Sequence, residues 1–446
     1  MKTKLTITAT AVAAALAFAS GATLAAKAGT YKATAQGHNG PVTVEMTVDA
    51  AGKIAAVRVT DNKETVGIAD AAIRILPENI VKHQSLGIDA LTGATYSSKA
   101  ILAAAKDCAT QAGLDVAALL APVAKTQGKV IRKKADVVVI GGGGAGLSAA
   151  VGAAEKNATV IVIEKTASLG GNTMRAGGGY NYADPVLEGR HEMTEGQKKM
   201  VRDMVAETPK SEAHKKLLDT VRAQFEAYEK SGAKGVFDSP EYHAIQTYKS
   251  GDYEADINLV YELCKLAPGT AKHLADMGFQ WHDYSSQYVG ALWPRSHDAA
   301  NFKSGFGFIQ TYEATIRDKH YPVEYLMQTR ASELMMEGAR VAGVKAVDAD
   351  GNTIEIDATK GVVIASGGFG ANVEMRMKYD KLWNGLLNEK FPTTNSPAIT
   401  GDGIVMAEKI GADLVGMEYI QLLIGDPQTG VTSTLVGAGT SMYVNR

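Results

Sequence analysis

The stretch Ala135-Asp136-Val137-Val138-Val139-Ile140-Gly141-Gly142-Gly143-Gly144-Ala145-Gly146-Leu147-Ser148-Ala149-Ala150 reads as a buried strand that delivers three spaced glycines to the start of a helix. Gly141 permits the tight turn, Gly143 lets the backbone approach a pyrophosphate, and Gly146 lets helix and strand pack closely, so a dinucleotide's phosphates sit on the helix N-terminus beside Ala145. The next apolar run, Ala158 to Ile163, ends in Glu164, 18 residues past Gly146. An acid there accepts hydrogen bonds from the adenosine ribose. Strand, helix, second strand and acid stand in register, which a lone glycine motif would not provide.

Length and composition agree with a large α/β protein. The 446 residues are 46% hydrophobic, enough for two or more buried cores, and the formal net charge of -2 gives no reason to propose nucleic acid as a partner. Cys108 and Cys264 stand alone and far apart, so no haem-attachment, iron–sulfur or zinc motif is encoded and no metal ligand is assigned. At the start, Met1 to Lys4 is a basic segment, Leu5 to Ala19 is apolar and small, and cleavage sites fall near Ala25, Ala26 or Ala28. Residues 1–27 are therefore expected to be a Sec signal peptide that sends the protein to the periplasm, the apolar core being too short for a comfortable membrane span.

A separate small α+β domain is expected over residues 28–115. Val42 to Val48 alternates as a half-buried strand, Asp49 to Lys53 turns, and Ile54 to Thr60 returns as a hairpin. Helical patterns follow at Gly67 to Leu76 and Ser98 to Ala112, residues 116–134 read as a linker, and the nucleotide fold is expected over 135–446. Residues 185–330 read as a mostly helical insertion, with amphipathic stretches at His191 to Glu207 and Ser211 to Ser231. Within it Arg295 and His297, beside Trp293, pair cationic groups with an aromatic ring and are candidate substrate-binding residues; packing is the competing reading.

After Glu164, the run Lys165-Thr166-Ala167-Ser168-Leu169-Gly170-Gly171-Asn172-Thr173 and then Ala176 to Gly179 resembles the second flavin loop of the fumarate reductase and succinate dehydrogenase flavoprotein family. Gly361 to Gly370 is similar to that family's returning strand, and Thr400-Gly401-Asp402-Gly403 to its Gly-Asp-Gly loop. The resemblance implies a Rossmann-type FAD-binding fold with an inserted capping domain and non-covalent FAD. Asn172, Thr173, Gly177 and Gly178 would lie around pyrophosphate and flavin, the backbone near Ala331 at the adenine, and Asp402 near the flavin unless it is an ordinary helix N-cap residue. With no twin arginine in the leader, FAD would be acquired after export.

Upstream, Asp89-Ala90-Leu91-Thr92-Gly93-Ala94-Thr95-Tyr96-Ser97-Ser98, with Glu64-Thr65 and Gly67-Ile68-Ala69, resembles the FMN-binding domain of sodium-pumping quinone reductase and related exported flavoproteins. There a flavin transferase joins the FMN phosphate to a hydroxyl. The resemblance carries a covalent FMN to Thr95, with Ser97 as runner-up. Signal, FMN domain and FAD domain in this order resemble the urocanate reductase group of periplasmic flavoproteins. That implies reduction of the carbon–carbon double bond of an unsaturated carboxylic acid, urocanate first. Electrons would come from a membrane-anchored quinol dehydrogenase or cytochrome and pass from FMN to FAD to substrate. Fumarate, acrylate, methacrylate and cinnamate are the alternative substrates, and a non-catalytic electron carrier is the alternative role. The family's proton-donating arginine is expected downstream of Arg446, so no residue here is assigned as catalytic and the C-terminal part reads as missing. Gln421-Leu422-Leu423 offers no histidine for a second carboxylate, which argues against fumarate.

Overall fold

A computed structural model describes residues 26–91, 93–123, 128–288, 291–302 and 304–422. The expected signal sequence as far as Ala25, Thr92 of the attachment motif and the C-terminal segment from Leu423 lie outside the described residues. Two compact units divide the chain. One holds Met1–Lys63, Arg74–Ile88 and Ala100–Val123; the other holds Glu64–Ile73, Asp89–Lys99 and Ala124–Arg446. The second unit thus contains the two motif segments expected inside a continuous small domain of residues 28–115.

In the first unit, β1 (Gly29–Gln36), β2 (Pro41–Val48) and β3 (Ile54–Asp61) form an antiparallel meander in that order. The hairpin is thereby extended by β1, whose polar alternation gave no strand signal. Val42, Val44, Met46 and Val48 alternate inward along β2 and are at most 2% exposed. Helix α1 (Asp70–His83) continues beyond the expected end at Leu76 and runs through Pro77. Leu76 and Ile80 are both fully buried, so packing outweighs the amide hydrogen bond that Pro77 lacks. Helix α2 (Thr95–Gln111) begins three residues earlier than its pattern suggested. Cys108 on it is buried and donates weakly to the carbonyls of Tyr31 and Val44, each at 3.5 Å, and burial pushes its thiol pKa up. A single turn, α3 (Val116–Leu119), is capped by Asp115.

The expected linker is shorter than residues 116–134, because β4 runs from Val130 to Ile140. Its early part carries the three successive cations Arg132, Lys133 and Lys134 and is held as strand by the long β11 (Thr353–Ile364), whose Thr353 pairs with Val130. With α4 (Gly144–Ala154), β5 (Val160–Ile163), β8 (Val323–Leu326), β9 (Arg330–Glu337) and β10 (Arg340–Val347), the sheet runs β8-β5-β4-β11-β10-β9. The first four strands are parallel; β10 and β9 return antiparallel. Side chains alternate between two covered faces: Val138, Ile140, Ile161 and Ile163 join Val344 and Ile356, while Val139, Val160 and Val162 meet Ala150 on α4.

Between β5 and β8 a short two-stranded ribbon of β6 (Tyr180–Asn181) and β7 (Ser296–His297) brackets helices α5 (Pro185–Glu188), α6 (Glu195–Val205), α7 (Glu212–Ser231), α8 (Pro240–Ser250) and α9 (Ile257–Asp276). Thr194 closes a capping box on α6 and Ser211 caps α7, so both amphipathic stretches start on polar caps. Their apolar faces bury Val201, Leu218, Val221, Tyr242, Ile245 and Trp293 in one core. The insertion ends earlier than residue 330. Helix α10 (Phe306–Asp318) packs Ile309, Tyr312 and Ile316 on Leu147 and Val151 of α4, and β8 completes the main sheet. Two further helices, α11 (Val373–Tyr379) and α12 (Asp402–Lys409), follow β11. No helix among the described residues is long and apolar enough to cross a membrane.

Candidate flavin site

Each glycine of the motif has a distinct geometric duty. Gly141 turns the chain off β4 at φ +105°, where a side chain would also meet the Ala365 carbonyl at 2.5 Å. A Cβ at Gly146 would stand 1.8 Å from the Gly141 carbonyl oxygen, so helix and strand touch there backbone to backbone. At Gly143 the nearest protein atom to such a carbon is the Gly170 carbonyl at 3.7 Å, an ordinary contact that leaves the position open. Gly143 is also the N-cap of α4 and supplies no side-chain cap, and Ala145 in the first turn is exposed. A helix N-terminus whose N-cap residue has no side chain, with the Gly144 N–H met by Thr173 Oγ1 at 3.1 Å and unblocked space beside Gly143, fits a pyrophosphate.

Glu164 closes the other side. Its Oε2 accepts the Gly142 N–H at 2.8 Å, and its Oε1 accepts both the N–H and the hydroxyl of Thr166 at 2.8 Å. Truncation of this buried carboxylate leaves the Gly142 and Thr166 N–H groups short of an acceptor, while the Thr166 hydroxyl keeps the Ser168 carbonyl at 2.6 Å. Glu164→Ala is therefore expected to weaken FAD by ~1–3 kcal/mol, the scale for an unsatisfied buried polar group, measured by flavin release during dialysis. Unchanged retention would remove Glu164 from the site.

The loop after Glu164 is held by partners far along the chain. The Asn172 amide donates to Asn395 Oδ1 at 2.6 Å and its oxygen accepts the Ser396 N–H at 2.8 Å, while Thr173 Oγ1 accepts the Gly144 N–H at 3.1 Å. Both side chains thus shape the loop. Gly178 (φ +95°) lies against the Ser304 backbone, and Gly177 faces open space. Ala331 is buried near the start of β9.

Asp402 is the first residue of α12 and joins three segments. It accepts from Lys165 Nζ at 3.0 Å, from Arg330 Nε and Nη2 at 3.1 Å, and from Thr400 Oγ1 at 2.9 Å. Burial opposes its ionisation, but these donors outweigh burial and hold its pKa at about 2. A carboxylate with a depressed folded-state pKa stabilises above its unfolded value and loses that contribution as pH falls through the folded one. Asp402→Asn is expected to remove ~1–2 kcal/mol at neutral pH and to flatten the stability decline between about pH 4 and 2, read from urea midpoints across that range. Lys165 and Thr400 stood in separate quoted motifs and Arg330 in none; only the fold brings the three together on Asp402.

Of the residues set aside for substrate, Arg295 is 6% exposed and fully engaged. Its Nε and Nη2 donate to the two oxygens of Asp238 at 2.6 and 2.5 Å, and Nη1 donates to Gln246 at 2.6 Å. Glu188, fully buried, adjoins this pair; burial and the Asp238 carboxylate raise its pKa. Its Oε2 has no hydrogen-bond partner among the described residues. His297 is buried and stacks on Tyr182 with ring centres 3.8 Å apart, and burial lowers its pKa. Trp293 is core, its indole N–H donating to the Phe237 carbonyl at 2.9 Å. Among the described residues no group of three or more His, Cys, Asp or Glu side chains could hold a metal ion.

In the attachment motif the hydroxyls are distinguished by their surroundings. Ser98 is fully buried and donor-bonded by the Leu91 N–H at 3.1 Å, and Ser97, 4% exposed, donates to the Glu64 carboxylate. Thr95 opens α2, is half-buried, and has no hydrogen-bond partner for its hydroxyl among the described residues.

A strand–glycine–helix turn, a buried acid at the end of the next strand and a second glycine loop are together the features of an FAD-binding protein. The chain belongs to the FAD binding domain family, which it matches over residues 136–232 and 223–439, and it carries an FMN-binding domain over residues 37–110. It is 37% identical to an NADH:acrylate oxidoreductase of Vibrio harveyi over 94% of this chain and 43% of that protein. It is 32% identical to a urocanate reductase of Eggerthella lenta over 93% of this chain and 61% of that protein. The chain thus spans about half the length of these relatives. In fold it is similar to the open conformation of a flavocytochrome c3 fumarate reductase, with a TM-score of 0.51 at 24% identity, covering 68% of this chain and 45% of that one.

Proposed function

We propose that this protein is an exported flavin-dependent reductase of an α,β-unsaturated monocarboxylate, with acrylate and urocanate as the substrates to test first. The observation that carries the reading is the presence, in one chain, of an FAD cradle and an FMN attachment turn. Its support comes from relatives named for acrylate, 37% identical, and for urocanate, 32% identical, against 27% to 30% for those named for fumarate. Gly141, Gly143, Ala145, Gly146 and Glu164 would hold the adenosine diphosphate part of FAD, with Asn172, Thr173, Gly177 and Gly178 shaping the flavin side. Thr95 would hold FMN as a phosphoester. Bound flavins supply hydride and single-electron chemistry that no side chain has. The protein's part would be to keep them in place: backbone amides at the start of α4 would donate to the pyrophosphate, and Asp402 ties Lys165, next to Glu164, to Arg330 on β9. The periplasmic location rests on the leader sequence, and an electron-donating partner and a flavin transferase follow from the same reading. Arg295 is assigned here to the architecture of the insertion.

The test uses the full-length protein made in a host with a flavin transferase. One covalent FMN is expected on the peptide containing Leu91 to Lys99, along with one FAD released on denaturation. Thr95→Ala should abolish the adduct and leave FAD unchanged, whereas an adduct that persists in this variant and disappears in Ser97→Ala would move the site. With reduced dye as donor, acrylate or urocanate should turn over faster than fumarate, because a second carboxylate without a cation is a buried unpaired charge. Fumarate turning over fastest would reverse the substrate assignment.

A further inference from the structure

A buried side-chain bond joins the Glu64 segment to the first turn of α2, which carries the attachment residue. Ser97 Oγ donates to Glu64 Oε2, with Ser97 4% and Glu64 8% exposed. The Glu64 segment is itself an ordered turn: Ile68 and Ala69 N–H groups donate to the Thr65 carbonyl at 3.1 and 3.0 Å, Gly67 takes φ +82°, and its N–H donates to Asp70 at 2.9 Å. On the other side, the Ala94 N–H donates to the Leu91 carbonyl at 3.1 Å, and Ser98 accepts from Leu91 within the same turn. Ser98 therefore braces the attachment turn locally, and Ser97 fastens the first turn of α2 to the Glu64 segment.

We infer that the Glu64–Ser97 bond is a positioning lock that presents the Thr95 hydroxyl for phosphoester formation, and that Ser97 is thereby unavailable as the acceptor. This rests on the reading of Thr95 as the FMN site. In the transfer, a flavin transferase acts on FAD as the activated donor. The Thr95 oxygen forms a bond to the FMN phosphorus, the pyrophosphate bond to AMP breaks, AMP leaves, and the hydroxyl proton goes to solvent. No redox change occurs. Displacement at phosphorus demands that the oxygen be held close to the in-line position, and an ångström of misplacement far from the chemistry can cost on the order of a hundredfold. Two residues from Thr95, on the same helical turn, a buried carboxylate–hydroxyl bond restrains that position; an exposed one would exchange with water.

Flavin-transfer rate onto full-length protein produced without transferase tests this, with purified transferase and FAD added and the Thr95 peptide followed by mass spectrometry. Ser97→Ala and Glu64→Ala should each slow the transfer roughly tenfold or more, ~1.4 kcal/mol in barrier. The double variant should be no slower than the slower single, and Ser97→Thr, which restores the hydroxyl, should recover most of the rate. Circular dichroism and bound FAD should match the wild type in all four, which separates positioning from unfolding. Wild-type rates in both single alanine variants, additive losses in the double variant, or an adduct on Ser97 would overturn the lock. Absence of any adduct on wild-type Thr95 would instead remove the FMN reading, and the lock with it.

Discussion

Replacement of Arg295 by alanine is expected to cost ~3–5 kcal/mol of stability, because it strands the buried Asp238 carboxylate and the Gln246 oxygen without donors. The Arg295 and Asp238 side chains are 7% and 0% exposed, so water cannot replace the lost partner. The helical insertion would feel this most, since Arg295 precedes β7 and Asp238 precedes α8. Calorimetry should show a transition lowered on the order of 10 °C. A compensated variant with Arg295→Met and Asp238→Leu removes both charges and should recover part of the loss. Glu188 adds a pH signature. A carboxyl whose folded-state pKa is raised contributes stability that is fully present below its unfolded pKa, ~4.3, and is lost as pH rises towards the folded value. Glu188→Gln should flatten that decline. An unshifted transition in Arg295→Ala, together with a raised KM for the acid, would return Arg295 to the substrate role its sequence context suggested.

Gly146→Ala should all but empty the FAD cradle, whereas Gly143→Ala should leave the fold intact and weaken the cofactor. At Gly146 the added carbon meets the Gly141 carbonyl at 1.8 Å, a backbone contact that no rotamer change relieves, so α4 must move off β4. Overpacking of this kind costs ~1–3 kcal/mol and here deforms the phosphate turn itself, a roughly 5- to 150-fold loss of FAD affinity from the deformation alone. Far-UV spectra and thermal midpoints should both change. At Gly143 the added carbon has only an ordinary contact at 3.7 Å within the protein, so the apo-protein melts as the wild type does and only FAD retention falls. Equal melting and equal FAD content in the two variants would show that the glycines are not divided between packing and ligand approach.

The nucleotide turn was legible residue by residue because its constraints are local. Gly141 turns with positive φ, Gly146 touches the backbone five residues before it, and Glu164 follows the very next strand, so sterics within a short window dictate residue type. The insertion's helices were similarly readable at Thr194 and Ser211, where a polar cap precedes an amphipathic run. Partner choice was a different matter. The sequence shows a cation at Arg295 beside an aromatic residue, and that pattern serves a substrate clamp or a structural ion pair equally well. Only folding, by setting Asp238 and Gln246 against the guanidinium, decided for the pair. The same holds for Asp402, whose ligands Lys165 and Arg330 come from the loop after β5 and from β9, and for Val130 to Lys134, a polar linker by composition that becomes strand because β11 lies alongside. Thr95 and Ser97 were both attachment candidates as letters; in the fold Ser97 is buried and donates to the Glu64 carboxylate, whereas Thr95 is half-buried. Backbone sterics and periodicity act over a few residues and are written in the chain. Charge pairing, desolvation and strand neighbours depend on which distant segments meet, and those are settled by the tertiary structure.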